Sequence, residues 1–110
     1  QMAVQITFNI FGKDAFHKFK AGNYENKINR AVADIMLFYF SNPDIRMAVL
    51  GHEEQIKSKF EILSTGRVEF LSAIETTTKS MQSVKERFNT WANALSEELD
   101  VKVESPYSEN

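Results

Sequence analysis

Ala31-Val-Ala-Asp-Ile-Met-Leu-Phe-Tyr-Phe40 is apolar on every side of a helix except at Asp34. A helix that is hydrophobic all round has to be enclosed by protein, so this segment is expected to form the axis of the fold. Its single carboxylate would then sit at the centre. An unpaired carboxylate in apolar surroundings is costly or gives up its charge. Two arginines are placed to answer it. Arg30 lies one turn earlier on the same helix, at the i,i+4 spacing that lets side chains meet, and Arg87 can approach from a later helix. The expectation is a buried structural ion pair of Asp34 with Arg30 and Arg87, which fixes helix register more than it adds stability.

The rod is expected to run from about Glu25 to Phe40. Ser41-Asn-Pro-Asp44 ends it and begins another helix: Asn42 suits an N-cap, and Pro43 suits the first helical position, where a missing N–H costs nothing. Ile45, Ala48 and Val49 give that short helix an inner face up to Gly51. Ile56, Phe60 and Leu63 make the stripe of the next helix, which stops at Thr65-Gly66. Val68, Leu71 and Ile74, with Phe70 beside them, make a third. The β-branched run Thr76-Thr77-Thr78 disfavours helix and offers capping hydroxyls. Met81, Val84, Phe88, Trp91 or Ala92, Leu95 and Leu99 then recur at three- and four-residue steps, the best-defined helical pattern in the chain.

On the N-terminal side of the rod, Val4, Phe8 and Phe11, with Ile6 and Ile10 flanking, spell a helix that stops at Gly12. Residues 13–24 read as a basic connector anchored by Phe16 and Phe19, with a turn at Gly22-Asn23. No segment reads as a strand, since Val101-Lys-Val103 is too short. The fold class expected is all-α, a bundle of about five or six helices around a central buried helix. Residues 1–99 form the domain; residues 100–110 form a polar tail, containing Pro106, that is expected to be poorly ordered.

With 110 residues there is room for one domain and one core. Hydrophobic residues make up 43% and charged residues 25%, which is ordinary for a soluble globular protein. The net charge of −2 gives no general attraction to nucleic acid or to an anionic membrane. Charge is unevenly spread: residues 13–30 carry a balance of +3 and residues 93–110 a balance of −4. The absence of cysteine excludes disulfide and thiolate chemistry and fits a cytoplasmic protein. No stretch approaches the ~18 apolar residues of a membrane span, so no membrane partner is expected. The start of the chain has neither the basic residues nor the cleavage site of a signal peptide. The first helix also lacks a start signal, and Gln1 is no initiator, so the chain is expected to begin partway into a longer polypeptide.

Catalytic chemistry is hard to assemble from these residues. A zinc site needs three or four converging ligands, whereas His17 and His52 are the only histidines and lie in different segments. His52-Glu53-Glu54 begins like a metalloprotease helix, but Ile56 stands where the second histidine would be. No serine sits in a nucleophile elbow. The four glycines are too scattered to cradle a phosphate. Glu53-Glu54 and Glu97-Glu98 diverge around their helices. No catalytic set, metal or cofactor is therefore expected. Lys13, Lys18, Lys20 and Lys27, interleaved with Phe16, Phe19 and Tyr24, are the candidate nucleic-acid contacts, and backbone binding there would be non-specific and salt-sensitive.

Three pieces stand in a telling order: Ile10-Phe-Gly-Lys-Asp-Ala-Phe16, Lys27-Ile-Asn-Arg-Ala-Val-Ala-Asp34 and Ser83-Val-Lys-Glu-Arg-Phe88. Together they resemble the C-terminal helical part of the GmrSD-type family, prokaryotic restriction and phage-defence proteins built on a ParB-like nuclease domain. The matching positions are Phe11-Gly12, Ala15-Phe16, Ile28-Asn29-Arg30, Asp34, Thr77 and Arg87-Phe88, and the likeness spans roughly residues 3–98. His17 departs from the family's usual arginine, and Val32-Ala33 from a bulkier leucine-phenylalanine. The family's Asp-Gly-Gln-Gln-Arg motif does not occur here. The resemblance thus implies an accessory domain that docks on an upstream ParB-like nuclease or nucleotidase domain of the same polypeptide and helps to hold DNA. The rival expectation is a free-standing helical interaction module, a homodimer through an exposed stripe of the first or last helix.

Overall fold

The computed structural model of the chain describes residues 2–76 and 80–108. The sequence runs through α1 (Met2–Phe11), a short 3₁₀ turn (Gly12–Asp14), β1 (His17–Lys20), β2 (Asn23–Ile28), α2 (Arg30–Phe40), α3 (Pro43–Val49), α4 (Glu53–Gly66), α5 (Val68–Glu75) and α6 (Met81–Leu99). The molecule is thus predominantly helical, but the expectation of an all-α fold is corrected by one antiparallel hairpin. Thr77, expected to cap a helix and to match the family pattern, lies outside the described residues, as does Thr78.

The hairpin replaces the expected basic connector and the first turn and a half of the expected central helix. Ala21 and Gly22 both have positive φ, 53° and 84°, the left-handed pair that makes a two-residue turn follow the twist of its strands. Lys20 faces Asn23 across that turn, Phe19 faces Tyr24, and an irregularity between His17 and Phe19 shifts the register so that His17 faces Ile28. The base is closed by the Asn29 N–H, which donates to the Phe16 carbonyl at 2.8 Å. Asn29 then turns outward from the strand and caps α2, its side-chain oxygen accepting the Val32 N–H at 3.0 Å. This cap is why α2 begins at Arg30 instead of near Glu25.

A two-stranded hairpin is marginal by itself, and this one is held by helices. The Tyr24 hydroxyl donates to Glu61 of α4 at 2.9 Å, the Tyr24 ring meets Phe19 edge-on at 4.8 Å, and the Lys57 ammonium sits 5.7 Å from the same ring. On the other side Lys18 and Lys20 reach Glu75, the last residue of α5, at 3.0 and 2.6 Å.

The centre of the core is Phe60 of α4. Its ring takes edge-to-face contacts from Phe11, Phe70 and Trp91, so four helices meet there. α2 contributes Val32, Ile35, Met36, Tyr39 and Phe40, yet it is not enclosed on all sides. Arg30, Asp34, Phe38 and Ser41 form an exposed stripe at helical spacing, with Phe38 48% exposed. The central buried rod of the sequence reading is therefore a helix buried on most of its circumference and open along one line.

At Asn42 the local prediction holds in detail: the side chain accepts from the Asp44 and Ile45 N–H groups at 2.8 and 3.3 Å, with Pro43 at the start of the helix. In α5 the inner face is Phe70, Ala73 and Ile74, while Val68 is exposed; in α6 Met81 is likewise exposed. Each of these two apolar residues opens its helix, in a first turn that the neighbouring helices do not cover. The tail also departs from expectation. Asp100 adopts the left-handed conformation that ends α6, and the chain folds back. The Val103 N–H donates to the Ser96 hydroxyl at 2.9 Å, Val103 is buried, and the Tyr107 ring stands edge-on to Phe88 at 5.3 Å. Residues 101–108 are packed against α6.

Candidate functional site: a cationic groove between α2, α5 and α6

A cavity of about 650 Å³ lies where the start of α2, the end of α5 and the middle of α6 converge. Lys27 and Ile28 bring the end of β2 to it, and Asn29 and Arg30 bring the cap and first residue of α2. Ile74, Glu75 and Thr76 form a second wall, Val84, Arg87 and Phe88 a third, and Tyr107 reaches in from the tail. The Asn29 cap fixes this geometry, because it sets both the end of the hairpin and the direction of α2.

Arg87 is the unusual member. It is only 7% exposed, and its Nη1 donates to the Ala73 carbonyl at 3.1 Å. A cation there suits the carbonyl end of α5. Its Nε, however, is buried without a hydrogen-bond partner. Leaving a donor of a buried charged group unmade costs about 1–3 kcal/mol or more, so the head of Arg87 is held in place by the fold with part of its hydrogen-bonding capacity unused.

The expected ion pair of Asp34 with Arg30 and Arg87 is not formed. All three residues border the same cavity, but none of the ion pairs among the described residues joins them. Asp34 and Arg30 are exposed. The physical reason is the open stripe of α2: a carboxylate that faces water needs no partner, and Arg87 is satisfied in part by a backbone carbonyl instead.

The four candidate lysines separate in the fold. Lys18 and Lys20 converge on Glu75, and Lys18 also meets Glu25 at 3.1 Å. The hydrogen bond from Lys20, then that from Lys18, holds the Glu75 carboxyl below its ordinary range. Burial alone would pull the Lys18 ammonium down, but its bonds to Glu75 and Glu25 outweigh that and raise it. These two lysines are thus internally neutralised. Lys13 is exposed in the 3₁₀ turn, outside the groove, and only Lys27 remains on its rim. The continuous basic surface expected from the sequence is divided.

Glu75, Ile74 and Tyr107 belong to the site without having been legible as such. The partners of Glu75 lie 55 and 57 residues away, so no local pattern announces its role. The histidines stay apart: His17 Nδ1–H donates to the Glu25 carbonyl at 2.7 Å, and His52 Nδ1 lies 3.3 Å from Glu98. Among the described residues no three His, Asp or Glu side chains are grouped so as to hold a metal ion, and no helix is long and apolar enough to cross a membrane. What the groove offers chemically is recognition: cationic donors and a helix N-terminus set beside apolar and aromatic walls. Comparison of the chain with family models, with curated proteins and with solved structures gave no match.

Proposed function

We propose that the chain is a non-catalytic helical domain of a GmrSD-like DNA restriction or defence protein, docking on an upstream ParB-like nuclease or nucleotidase domain. One observation supports this reading above the others. Ile28, Asn29, Arg30 and Asp34 in one motif, and Arg87 and Phe88 in another, come from distant parts of the sequence and border a single cavity. The remaining motif residues have a matching part: Gly12, at φ 60°, follows the end of α1, and buried Phe11, Ala15 and Phe16 seat the hairpin that leads to Asn29. Residues that co-occur in order and also share one site fit a common recognition role better than six unrelated packing roles. DNA contact would fall to Lys13 and Lys27, the two candidate lysines that glutamates leave unengaged. Reading the coding frame upstream of residue 1 tests the proposal. An Asp-Gly-Gln-Gln-Arg string within a mixed α/β region is the expected result, and an in-frame stop just before residue 1 would overturn it.

A second reading, a free-standing dimerisation module, is favoured by apolar side chains on the outer face of α1, where Met2 is 67% and Phe8 47% exposed. Native mass spectrometry separates it from the first: monomers at micromolar concentration would remove it.

A further inference from the structure

We infer that the groove between α2, α5 and α6 is a binding site for a phosphate monoester, with Arg87 as the buried anchor and Arg30 and Lys27 at the rim. Arg87 is the anchor. Its guanidinium is more than nine-tenths buried, borders the cavity, and keeps Nε without a partner. A buried guanidinium whose Nε–H is left unused matches a phosphate oxygen, which accepts charge-assisted N–H bonds. The N-terminal end of α2 opens on the same space. Asn29 takes the Val32 N–H for its own cap, and Arg30 and Ala31, the first two helical residues, border the cavity. An eleven-residue helix presents about half a positive charge at that end.

Charge complementarity selects the ligand class. Glu75 is engaged by Lys18 and Lys20, and Glu25 by Lys18, so that cluster is balanced within itself. Among the described residues the other charges on the walls are Lys27, Arg30 and Arg87 against Asp34, two positive charges in excess. A phosphate monoester carries about −1.5 to −2 at neutral pH, which matches that excess, whereas a carboxylate would leave one positive charge uncompensated. The volume of about 650 Å³ is within the range of small-molecule sites and exceeds what bare phosphate fills. Phe88 and Tyr107, edge-on to each other at 5.3 Å, offer the remaining space an aromatic wall against which a planar ring can lie. This site does not depend on membership of the restriction family, because its residues and charges stand whatever lies upstream.

The test is a titration of the ¹⁵N-labelled chain, followed by NMR, with sodium phosphate and separately with a deoxynucleoside monophosphate, each against sodium chloride at matched ionic strength. Saturable shifts of the Arg30 and Ala31 amides and of the Arg87 Nε–H are expected with both probes. Arg30→Gln, an exposed substitution that leaves the core untouched, and Arg87→Gln should each weaken binding by about tenfold or more, and Arg87→Lys should restore only part of it. Tighter binding of the nucleotide, reduced to the phosphate value by Tyr107→Ala, assigns the ligand as an aromatic monophosphate. Equal affinities would overturn the assignment of a monoester. Shifts that fail to saturate, that occur away from the groove, or that survive both Arg30→Gln and Arg87→Gln would overturn the proposal. An upstream stop codon would overturn the family reading alone, so the two failures are distinguishable.

Discussion

Phe60 and Phe88 each stand at the middle of a cluster of aromatic rings, and the two clusters have opposite relations to water. Phe60 meets Phe11, Phe70 and Trp91 at 5.5–6.1 Å, and all four rings are 3% exposed or less. Phe88 meets Phe38, Tyr39 and Tyr107 at 5.3–6.0 Å, but Phe38 is half exposed and Tyr107 half-buried. The first cluster contains no charge. The second borders a buried arginine and an open cavity. The same ring chemistry therefore makes a core in one place and a wall in the other, and what separates the two is how many helices cover each. α1, α4, α5 and α6 close on Phe60, whereas Phe88 is covered by α2 on one side and by the irregular tail segment at Tyr107 on the other.

The strongest challenge to that distinction is removal of one ring from each cluster in turn. Phe60→Ala is expected to cost about 3–5 kcal/mol, seen as a lower urea midpoint at unchanged slope. Phe38→Ala, on the open cluster, should cost about 1 kcal/mol, because half of its surface is already in water. Equal losses would show that the clusters do not differ in kind. Tyr39 makes the link that holds Phe88 in place, its hydroxyl donating to the Phe88 carbonyl at 2.9 Å in a buried position. Tyr39→Phe should cost about 1 kcal/mol and should shift the NMR signals of Tyr107 more than those of Trp91.

A smaller effect comes from the groove wall at Glu75. Because its folded-state carboxyl is held below the ordinary value of 4.5, its contribution is present above that value and is lost as pH falls through the lower, folded value. At the alkaline end Lys18 behaves in the opposite sense: its stabilising contribution is complete below 10.5 and is lost as pH rises through its raised folded value. Glu75→Gln is expected to destabilise by about 0.5 kcal/mol at neutral pH, and the difference from the parent chain should vanish in acid. Thermal unfolding at stepped pH measures it; a difference that persists well below the carboxylate range would mean the wall is not held by charge. Smallest of all is Asp34→Asn. An exposed acid without an ion-pair partner should be replaceable within about 0.5 kcal/mol, while the loss of its negative charge should tighten phosphate binding severalfold. A stability loss of several kcal/mol would mean that Asp34 belongs to the closed part of the molecule after all.

Local chemistry was readable where it was self-contained. Asn42 and Pro43 announce their helix because cap and ring constraint act within three residues, and the stripes of α4 and most of α6 follow one simple period, whereas in α1 the expected stripe of Val4, Phe8 and Phe11 is displaced: Phe8 is exposed and the inner face is Ala3, Ile6, Thr7, Ile10 and Phe11. The hairpin was not readable. Its turn uses Ala21 in a left-handed conformation that costs an L-residue about 1–2 kcal/mol, and its stability is supplied by Glu61 and Glu75 far along the chain. Asn29 looked like the interior of a helix because nothing nearby shows that the preceding residues are extended. Asp34 misleads for a related reason. Phe38 sits four residues further on, and a phenylalanine there makes the stripe look buried; only the arrangement of neighbouring helices shows that both residues face outward. The groove inherits that difficulty, since it is made by three segments that meet only after folding. Arg30, Asp34 and Arg87 were nevertheless singled out from sequence, and they do border one site, although as separate groups and without the ion pair.

Trp91, the chain's single tryptophan, has no accessible surface and stands edge-on to Phe60. Its fluorescence will therefore follow the cooperative loss of the core and resist external quenchers such as acrylamide in the native state. Ligand events at Tyr107 take place beside the other ring cluster, so they will leave tryptophan emission almost unchanged. In this protein a silent tryptophan signal on titration is the expected behaviour of an occupied groove, and tyrosine-selective or fluorine-labelled phenylalanine probes are the optical and magnetic reporters that its architecture makes informative.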